Sequence, residues 1–188
     1  MQLKAHVGPS RELVEDLLLN KSEFALISLP FRHEKIETLS LYYDWMPLVV
    51  SPDHIFAKRN RVDLAEVISE PLLLFNSDSV SRQIVDEKMS EFGLVPTKVM
   101  EMSSPEAMRK LVEVGFAVSF LPLMTVNDSI TRGDLCIVQV DGIKFRREIG
   151  LAWRRGRYFG TLIRQLVDRI VSSCDKRTDL ELLLDKRV

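Results

Sequence analysis

The sequence predicts an α/β fold with mainly parallel sheets. Helical patterns alternate along the chain with short apolar runs of strand length. Residues 24–29 and 71–75 are almost continuously apolar, which is typical of strands covered on both faces. Gly93 and Gly115 each stand between a helical pattern and the next strand, where a glycine can end a helix.

Composition indicates an ordinary folded protein. The chain has 188 residues, of which 46% are apolar and 28% charged, enough for one large domain or two small lobes. Its formal net charge of −1 gives no basic excess that would indicate nucleic-acid binding. The two cysteines form no Cys-x-x-Cys pair, and the N-terminus lacks the apolar core of a signal peptide, so we expect a cytoplasmic protein.

The first segment predicts strand, helix and strand, joined by a right-handed crossover. Residues 2–7 alternate enough for a strand, and Ser10 can cap a helix with an apolar stripe. Residues 24–29 suit a central parallel strand. Two more strands are expected at 36–43 and 45–50, with the break near Asp44.

The middle of the chain continues the alternation. We predict a short helix at 62–68 with Asp63 in its first turn, and a strand at 71–75. A helix then runs to about Phe92, and its apolar residues Val80, Ile84, Val85, Met89 and Phe92 are expected to face inward. Residues 97–102 are a further strand.

Residues 103–122 predict a helix, a glycine stop at Gly115 and a buried strand at 116–121. Two starts fit equally well: Ser103 and Glu106 have capping-box spacing, and Ser104 precedes Pro105. The expected apolar face carries Ala107, Leu111 and Val114, with Met108 and Val112 beside it.

The last third predicts turns at 127–128 and 132–134 and a strand at 135–140. The strand at 145–153 is either its antiparallel partner or a return strand. An amphipathic helix follows at 161–171, and residues 175–188 are expected to be a tail or short helix.

Ligands of parallel α/β sheets bind beyond the carboxyl ends of strands, where helices begin. The serine-rich helix start at Ser103 and Ser104 is therefore a candidate anion site, since its free N–H groups and the helix dipole favour negative charge. The simpler interpretation is that these serines only cap the helix.

The sequence contains no recognisable catalytic or metal-binding motif. His6, His33 and His54 are not at metal-ligand spacings, and the nucleophile-elbow, phosphate-loop and dinucleotide-binding patterns are absent. We therefore expect no enzyme, no cofactor and no metal.

The order of five segments carries a family resemblance. These segments are Gly8–Val14, Glu23–Ile27, Leu48–His54, Glu70–Leu72 and Leu111–Pro122. From about residue 2 to 171 the chain resembles the effector-binding domain of LysR-type transcriptional regulators, which share the two-lobed fold of type 2 periplasmic binding proteins. It departs mildly where Glu23-Phe24 replaces the usual Asp-Leu and where Ile55 replaces a common proline.

The resemblance implies a discontinuous lobe I at 1–50 and 124–174, and a lobe II at 51–123. A small, anionic effector would lie in the cleft between the lobes and be coupled to the geometry of a homodimer or higher oligomer. The implied cleft residues, each of which ordinary capping or strand-end packing would also explain, are Ser103, Ser104, Ser28, Pro30, Asn76, Ser77 and Phe120.

The family's N-terminal helix-turn-helix, linker helix and first strand–helix unit have no counterpart here, so lobe I is expected to be incomplete. DNA would be bound only through that helix-turn-helix, and no membrane contact is expected. The alternatives are a solute-binding protein of the same fold and, third, an enzyme on a related two-lobed fold.

Overall fold

The structure is a computed structural model that describes residues 4–59 and 61–174. Its strands are β1 (Ala25–Leu29), β2 (Ile36–Trp45), β3 (Leu48–Val50), β4 (Arg61–Val62), β5 (Leu72–Phe75), β6 (Val99–Met102), β7 (Val118–Phe120), β8 (Cys136–Val140) and β9 (Arg146–Arg154). Its α-helices are α1 (Ser10–Leu18), α2 (Leu64–Val67), α3 (Val80–Glu91), α4 (Pro105–Glu113), α5 (Leu123–Arg132) and α6 (Thr161–Cys174), with a 3₁₀ turn at Ile55–Lys58.

The described residues form two compact units. The first unit contains residues 4–43 and 148–174, and the second contains 44–147. This division differs from the expected lobes, whose boundaries were at 50/51 and 123/124. The difference arises because β3 pairs with β7 and β8 pairs with β3 and β4, which holds residues 48–50 and 136–140 in the second unit.

The first unit is built on a three-stranded sheet in the order β1-β9-β2. Strand β1 runs antiparallel to β9, with Ala25 opposite Ala152 and Leu29 opposite Glu148. Helix α1 buries Val14 and Leu17 against this sheet. The remaining buried residues of this core are Ala25, Ile27, Leu29, Ile36 and Ala152.

The second unit is built on a six-stranded mixed sheet in the order β4-β8-β3-β7-β5-β6. Strand β5 is parallel to both β6 and β7, and β4 is parallel to β8, whereas β3 runs antiparallel to β7 and β8. The predicted α/β class is confirmed. The sheets are mixed rather than mainly parallel, because β3 and β1 enter their sheets in the antiparallel direction.

Two predictions at the N-terminus are wrong. Residues 4–7 form no strand and pair with none of β1, β9 and β2, and Val7 is 93% exposed. Consequently the segment up to β1 is no strand–helix–strand crossover, and β1 is an antiparallel edge strand rather than a central parallel one. Ser10 is the first residue of α1 rather than its cap, and its Oγ accepts a hydrogen bond from the Ser28 N–H.

The break between the second and third strands is displaced. Strand β2 continues through Asp44 to Trp45, and Pro47 lies in the gap before β3, where its missing N–H costs no sheet hydrogen bond. Residues 127–128 lie inside helix α5 rather than in a turn, because Val126 and Ser129 beside them are buried and the helix faces inward there.

The predicted helical faces are partly rotated. In α4, Met108 and Val112 are buried, whereas Ala107 is exposed and Val114 is 77% exposed. Phe92 and Phe116 are also exposed, so β7 begins only at Val118. Helix α6 confirms the helix predicted at 161–171, and the predicted tail at 175–188 lies outside the described residues.

Helices α4 and α5 are joined by a charged cluster around Glu113, whose side chain is only 10% exposed. Glu113 accepts hydrogen bonds from Lys110 at 2.7 Å, from the Ser129 hydroxyl at 2.6 Å and from Arg109. Burial acts to raise the pKa of Glu113, but the hydrogen bonds from Lys110 and Ser129 and the positive charge of Arg109 outweigh it and lower this pKa to about 2.

We predict that Glu113→Gln lowers the free energy of unfolding by about 1–3 kcal/mol at pH 7, and that this loss shrinks towards pH 3. An unfolded glutamate titrates near pH 4.3, so the contribution of ionised Glu113 is present above that pH and disappears as pH falls towards the folded pKa of about 2. Urea unfolding at both pH values measures the difference. Glu87→Gln, at an exposed α3 position, is the control, and an equal loss at both pH values for Glu113→Gln would contradict the prediction.

Candidate functional site

The predicted polar residues of the second unit meet at one edge of its sheet. Strands β5 and β6 are parallel neighbours, and their last residues, Phe75 and Met102, are direct partners. Asn76 and Ser77 follow the first of these strand ends, and residues 103–104 follow the second. The carboxyl edge, as we call residues 76–77 and 103–104, therefore collects four polar side chains from two loops.

A helix begins directly behind each of these loops. Ser79 caps α3, with its Oγ accepting a hydrogen bond from the Arg82 N–H at 3.1 Å. Ser104 caps α4, with its Oγ accepting from the Ala107 N–H at 3.3 Å, and Pro105 occupies the first turn. The structure thus selects Ser104 over Ser103 as the cap. Two helix N-termini at one edge concentrate free N–H groups and positive dipole ends, which suit an anion.

The carboxyl edge also has charged neighbours. The Ser104 hydroxyl donates to the Glu106 carboxylate at 3.3 Å, which places a negative charge beside the α4 N-terminus. Arg82 donates to the Phe75 carbonyl at 3.0 Å and to Glu101 at 2.8 Å. Arg82 therefore ties together the two strand ends from which the loops of the carboxyl edge leave.

Arg82 was missed by sequence reasoning. It also donates to Asp86, one helical turn further along α3, and its side chain is only 13% exposed. Burial acts to lower the pKa of Arg82, but hydrogen bonds to Asp86 and Glu101 outweigh it and raise that pKa. The sequence signal that could have indicated Arg82 is its position in the first turn of a helix that follows a polar loop. Its partners on β5 and β6 are visible only in the structure.

The other predicted residues lie elsewhere. Ser28 is half-buried on β1 of the first unit, and its backbone N–H donates to Ser10; Pro30 follows β1 and is exposed. Phe120 is 1% exposed in the core of the second unit, where its ring centroid lies 4.4 Å from that of Phe145. Phe120 therefore packs in the core, and the ligand-binding roles of Ser28, Pro30 and Phe120 stay predictions.

Two open grooves of the second unit lie apart from these four residues. One, of about 440 Å³, is lined by Arg82, Asp86, Met89 and the loop at 93–96. The other, of about 510 Å³, is lined by Ser51, His54, Glu113 and neighbouring residues. Within residues 4–59 and 61–174, no group of three His, Cys, Asp or Glu side chains is placed to hold a metal ion, and no helix is long and apolar enough to span a membrane.

Residues 1–175 match a family model described as the LysR substrate binding domain. The RuBisCO operon transcriptional regulator of Allochromatium vinosum is 26% identical over 155 residues, which are 82% of this chain and 51% of that protein. The DNA-binding transcriptional dual regulator OxyR of Escherichia coli K12 is 24% identical over 179 residues, or 95% of this chain and 59% of OxyR. The chain spans about half the length of the curated relatives it matches.

Two solved structures resemble this chain in fold. The effector binding domain of QuiR in complex with shikimate has a TM-score of 0.78 and 23% identity, covering 90% of this chain and 79% of QuiR's. The regulatory domain of Synechocystis CcmR in complex with 2-PG has a TM-score of 0.78 and 17% identity, covering 88% of this chain and 80% of CcmR's. These likenesses confirm the predicted type 2 periplasmic-binding-protein-like fold, and the family match over residues 1–175 shows that the chain belongs to the LysR substrate binding domain family.

Proposed function

We propose that this chain senses a small anionic metabolite for a LysR-type transcriptional regulator and binds it at the carboxyl edge. The observation that carries the proposal is the parallel pairing of β5 with β6, which brings residues 76–77 and 103–104 to two helix N-termini. Hydroxyl, amide and backbone N–H donors suit a carboxylate or phosphate. The expected position of the ligand between the two lobes stays a prediction.

The chemistry proposed for this edge is recognition rather than catalysis. None of residues 76–77 and 103–104 titrates near neutral pH, so the donors keep their character between about pH 6 and 8. An arriving anion would compete with Glu106 for the Ser104 hydroxyl, since the two share that donor. Binding of a carboxylate at these residues would therefore need no proton transfer, and we propose that the chain is not an enzyme.

We further propose that binding acts through differential affinity for two arrangements of a homo-oligomer. A ligand can shift such an equilibrium only by the difference between its affinities for the two states. Relatives of this chain carry the names of transcriptional regulators, which supports a cytoplasmic protein whose DNA contacts are made outside the effector-binding domain.

Replacing both Ser103 and Ser104 with alanine should weaken a bound anion by roughly 1–3 kcal/mol, or about 5- to 150-fold in Kd, if both hydroxyls donate to it. Titration calorimetry would test a panel of small carboxylates and phosphates that starts with shikimate and 2-phosphoglycolate, the ligands of the QuiR and CcmR domains. The affinity of wild type for a carboxylate should be unchanged between pH 6 and 8; phosphates are left out of this comparison because their own second pKa lies near 6.

The matched control is Ser69→Ala, which removes a hydroxyl that donates to the Glu66 carbonyl elsewhere in the second unit and should leave the affinity unchanged. Loss of the α4 cap should also lower stability by about 1 kcal/mol, so urea unfolding must show that the double variant is folded. Unchanged affinity in that folded variant would return both serines to a capping role only.

We also propose that the chain self-associates through the outer edge of β6. In the described sheet, β6 is the last strand, and Val99 and Met100 on it are each 40% exposed. An unpaired, partly apolar edge strand is a template for pairing with another chain. The strand expected at residues 2–7 is not formed over residues 4–7 of this chain.

The double variant Val99→Lys/Met100→Lys should therefore shift a dimer or larger species towards monomer in sedimentation velocity at high micromolar concentration. Lysine adds charge to the edge and opposes its pairing. Ile55→Lys, at a residue that is 64% exposed on the 3₁₀ turn, is the control and should leave the oligomer intact. A wild-type chain that stays monomeric under these conditions would rule out the proposal.

A further inference from the structure

A buried ion pair joins the two points at which the chain enters and leaves the second unit. Asp44 is the first residue of that unit, and Arg147 is the last. The Arg147 Nη2 and Nε groups donate to the same Asp44 oxygen at 2.9 and 3.1 Å. The Asp44 side chain is 3% exposed and that of Arg147 is 20% exposed, so water screens the pair poorly.

Two further contacts join the same two segments. The Met46 N–H donates to the Phe145 carbonyl at 2.9 Å, and the Lys144 ammonium lies 5.5 Å from the centroid of the Trp45 ring. The entering and leaving segments, residues 44–46 and 144–147, are therefore bound side by side by backbone, cation–π and ionic contacts. We call these residues the crossing pair.

Arg147 has a third partner, and this partner belongs to α3. Its Nη1 donates to the Ser81 hydroxyl at 3.3 Å, and Ser81 is 4% exposed in the first turn of that helix. The next residue, Arg82, donates to the Phe75 carbonyl and to Glu101, at the strand ends that lead into the carboxyl edge. Consecutive residues of one helical turn thus contact the crossing pair and the strand ends that precede the carboxyl edge.

The planar guanidinium suits this double contact. Its fixed fork can bond the Asp44 carboxylate and the Ser81 hydroxyl at once, whereas a lysine ammonium on a flexible stem is a point charge. Removing the arginine would take this ionic partner away from the buried Asp44 carboxylate, and breaking a buried ion pair in this way is destabilising.

We propose that Asp44, Arg147 and Ser81 form a relay that couples the first turn of α3 to the crossing pair. Order in that turn stabilises the hydrogen bond from Arg147 to Ser81, and disorder weakens it. The strength of this bond in turn sets how often the contacts between the two segments of the crossing pair break. Ser81 and Arg147 are positioning residues in this relay. Its use by a ligand at the carboxyl edge rests on the proposed function, but the coupling itself is a property of the chain without ligand.

The test perturbs the α3 turn and measures the crossing pair, with no ligand present. Ser79→Ala removes the cap of α3, and NMR hydrogen exchange of the Met46 amide reports opening of its bond to Phe145. Ser79→Ala should raise this exchange rate about fivefold in wild type. In an Arg147→Lys background, where the fork is lost, the same change should add less than about twofold.

The matched control background is Arg59→Lys, which alters an exposed arginine that donates two hydrogen bonds to Glu66. In this background Ser79→Ala should keep its full effect on the Met46 exchange rate. If Arg147→Lys fails to fold, Ser81→Ala is used as the background instead, because it removes only the contact between Arg147 and α3. If Ser79→Ala raises the Met46 exchange rate by the same factor in wild type and in the Arg147→Lys background, the relay is wrong. The same result is expected if the Met46 amide exchanges only by global unfolding, so that case also overturns the relay. Failure of the anion titrations would leave this result standing, so the two proposals fail separately.

Discussion

The parallel pairing of β5 with β6 and β7 is the constraint on which the second unit depends. Parallel neighbours cannot be joined by a tight turn, so α3 and α4 must each carry the chain back across the sheet. Each helix therefore begins just beyond the carboxyl end of a strand, and both N-termini lie at the same edge. The buried Ser119 hydroxyl strengthens this arrangement by donating to the Leu73 carbonyl of the neighbouring strand at 2.6 Å.

The same constraint would allow a nearly neutral chain to bind the anion proposed here. The formal charge is −1, so attraction for an anion at the carboxyl edge would come from backbone N–H groups and helix dipoles rather than from an excess of basic side chains. Arg82 stabilises the strand ends next to this edge, but its positive charge is paired with Glu101 and Asp86. Selectivity would then depend on hydrogen-bond geometry around residues 76–77 and 103–104 more than on net charge.

Local signals in the sequence predicted local structure well. Ser104-Pro105 starts α4, and Gly115 follows the end of that helix with a φ of +74°, because these residue types act within one turn of the chain. Strand partners were harder to predict, since the apolar run of β1 fits a central or an edge strand alike. Asp44 and Arg147 lie 103 residues apart, and nothing in either local pattern indicates the contact. Thus the serines of the candidate site could be found from sequence, whereas Arg82 and the relay required the fold.

The most direct test of the central claim is an NMR titration of the isotopically labelled wild-type chain with the anion from the panel that binds most tightly. We expect the largest shifts of backbone amide resonances at residues 76–82 and 103–107, which are the loops of the carboxyl edge and the first turns of α3 and α4. Saturable binding that leaves these amides unshifted, with the changes elsewhere in the second unit or confined to the first, would contradict it.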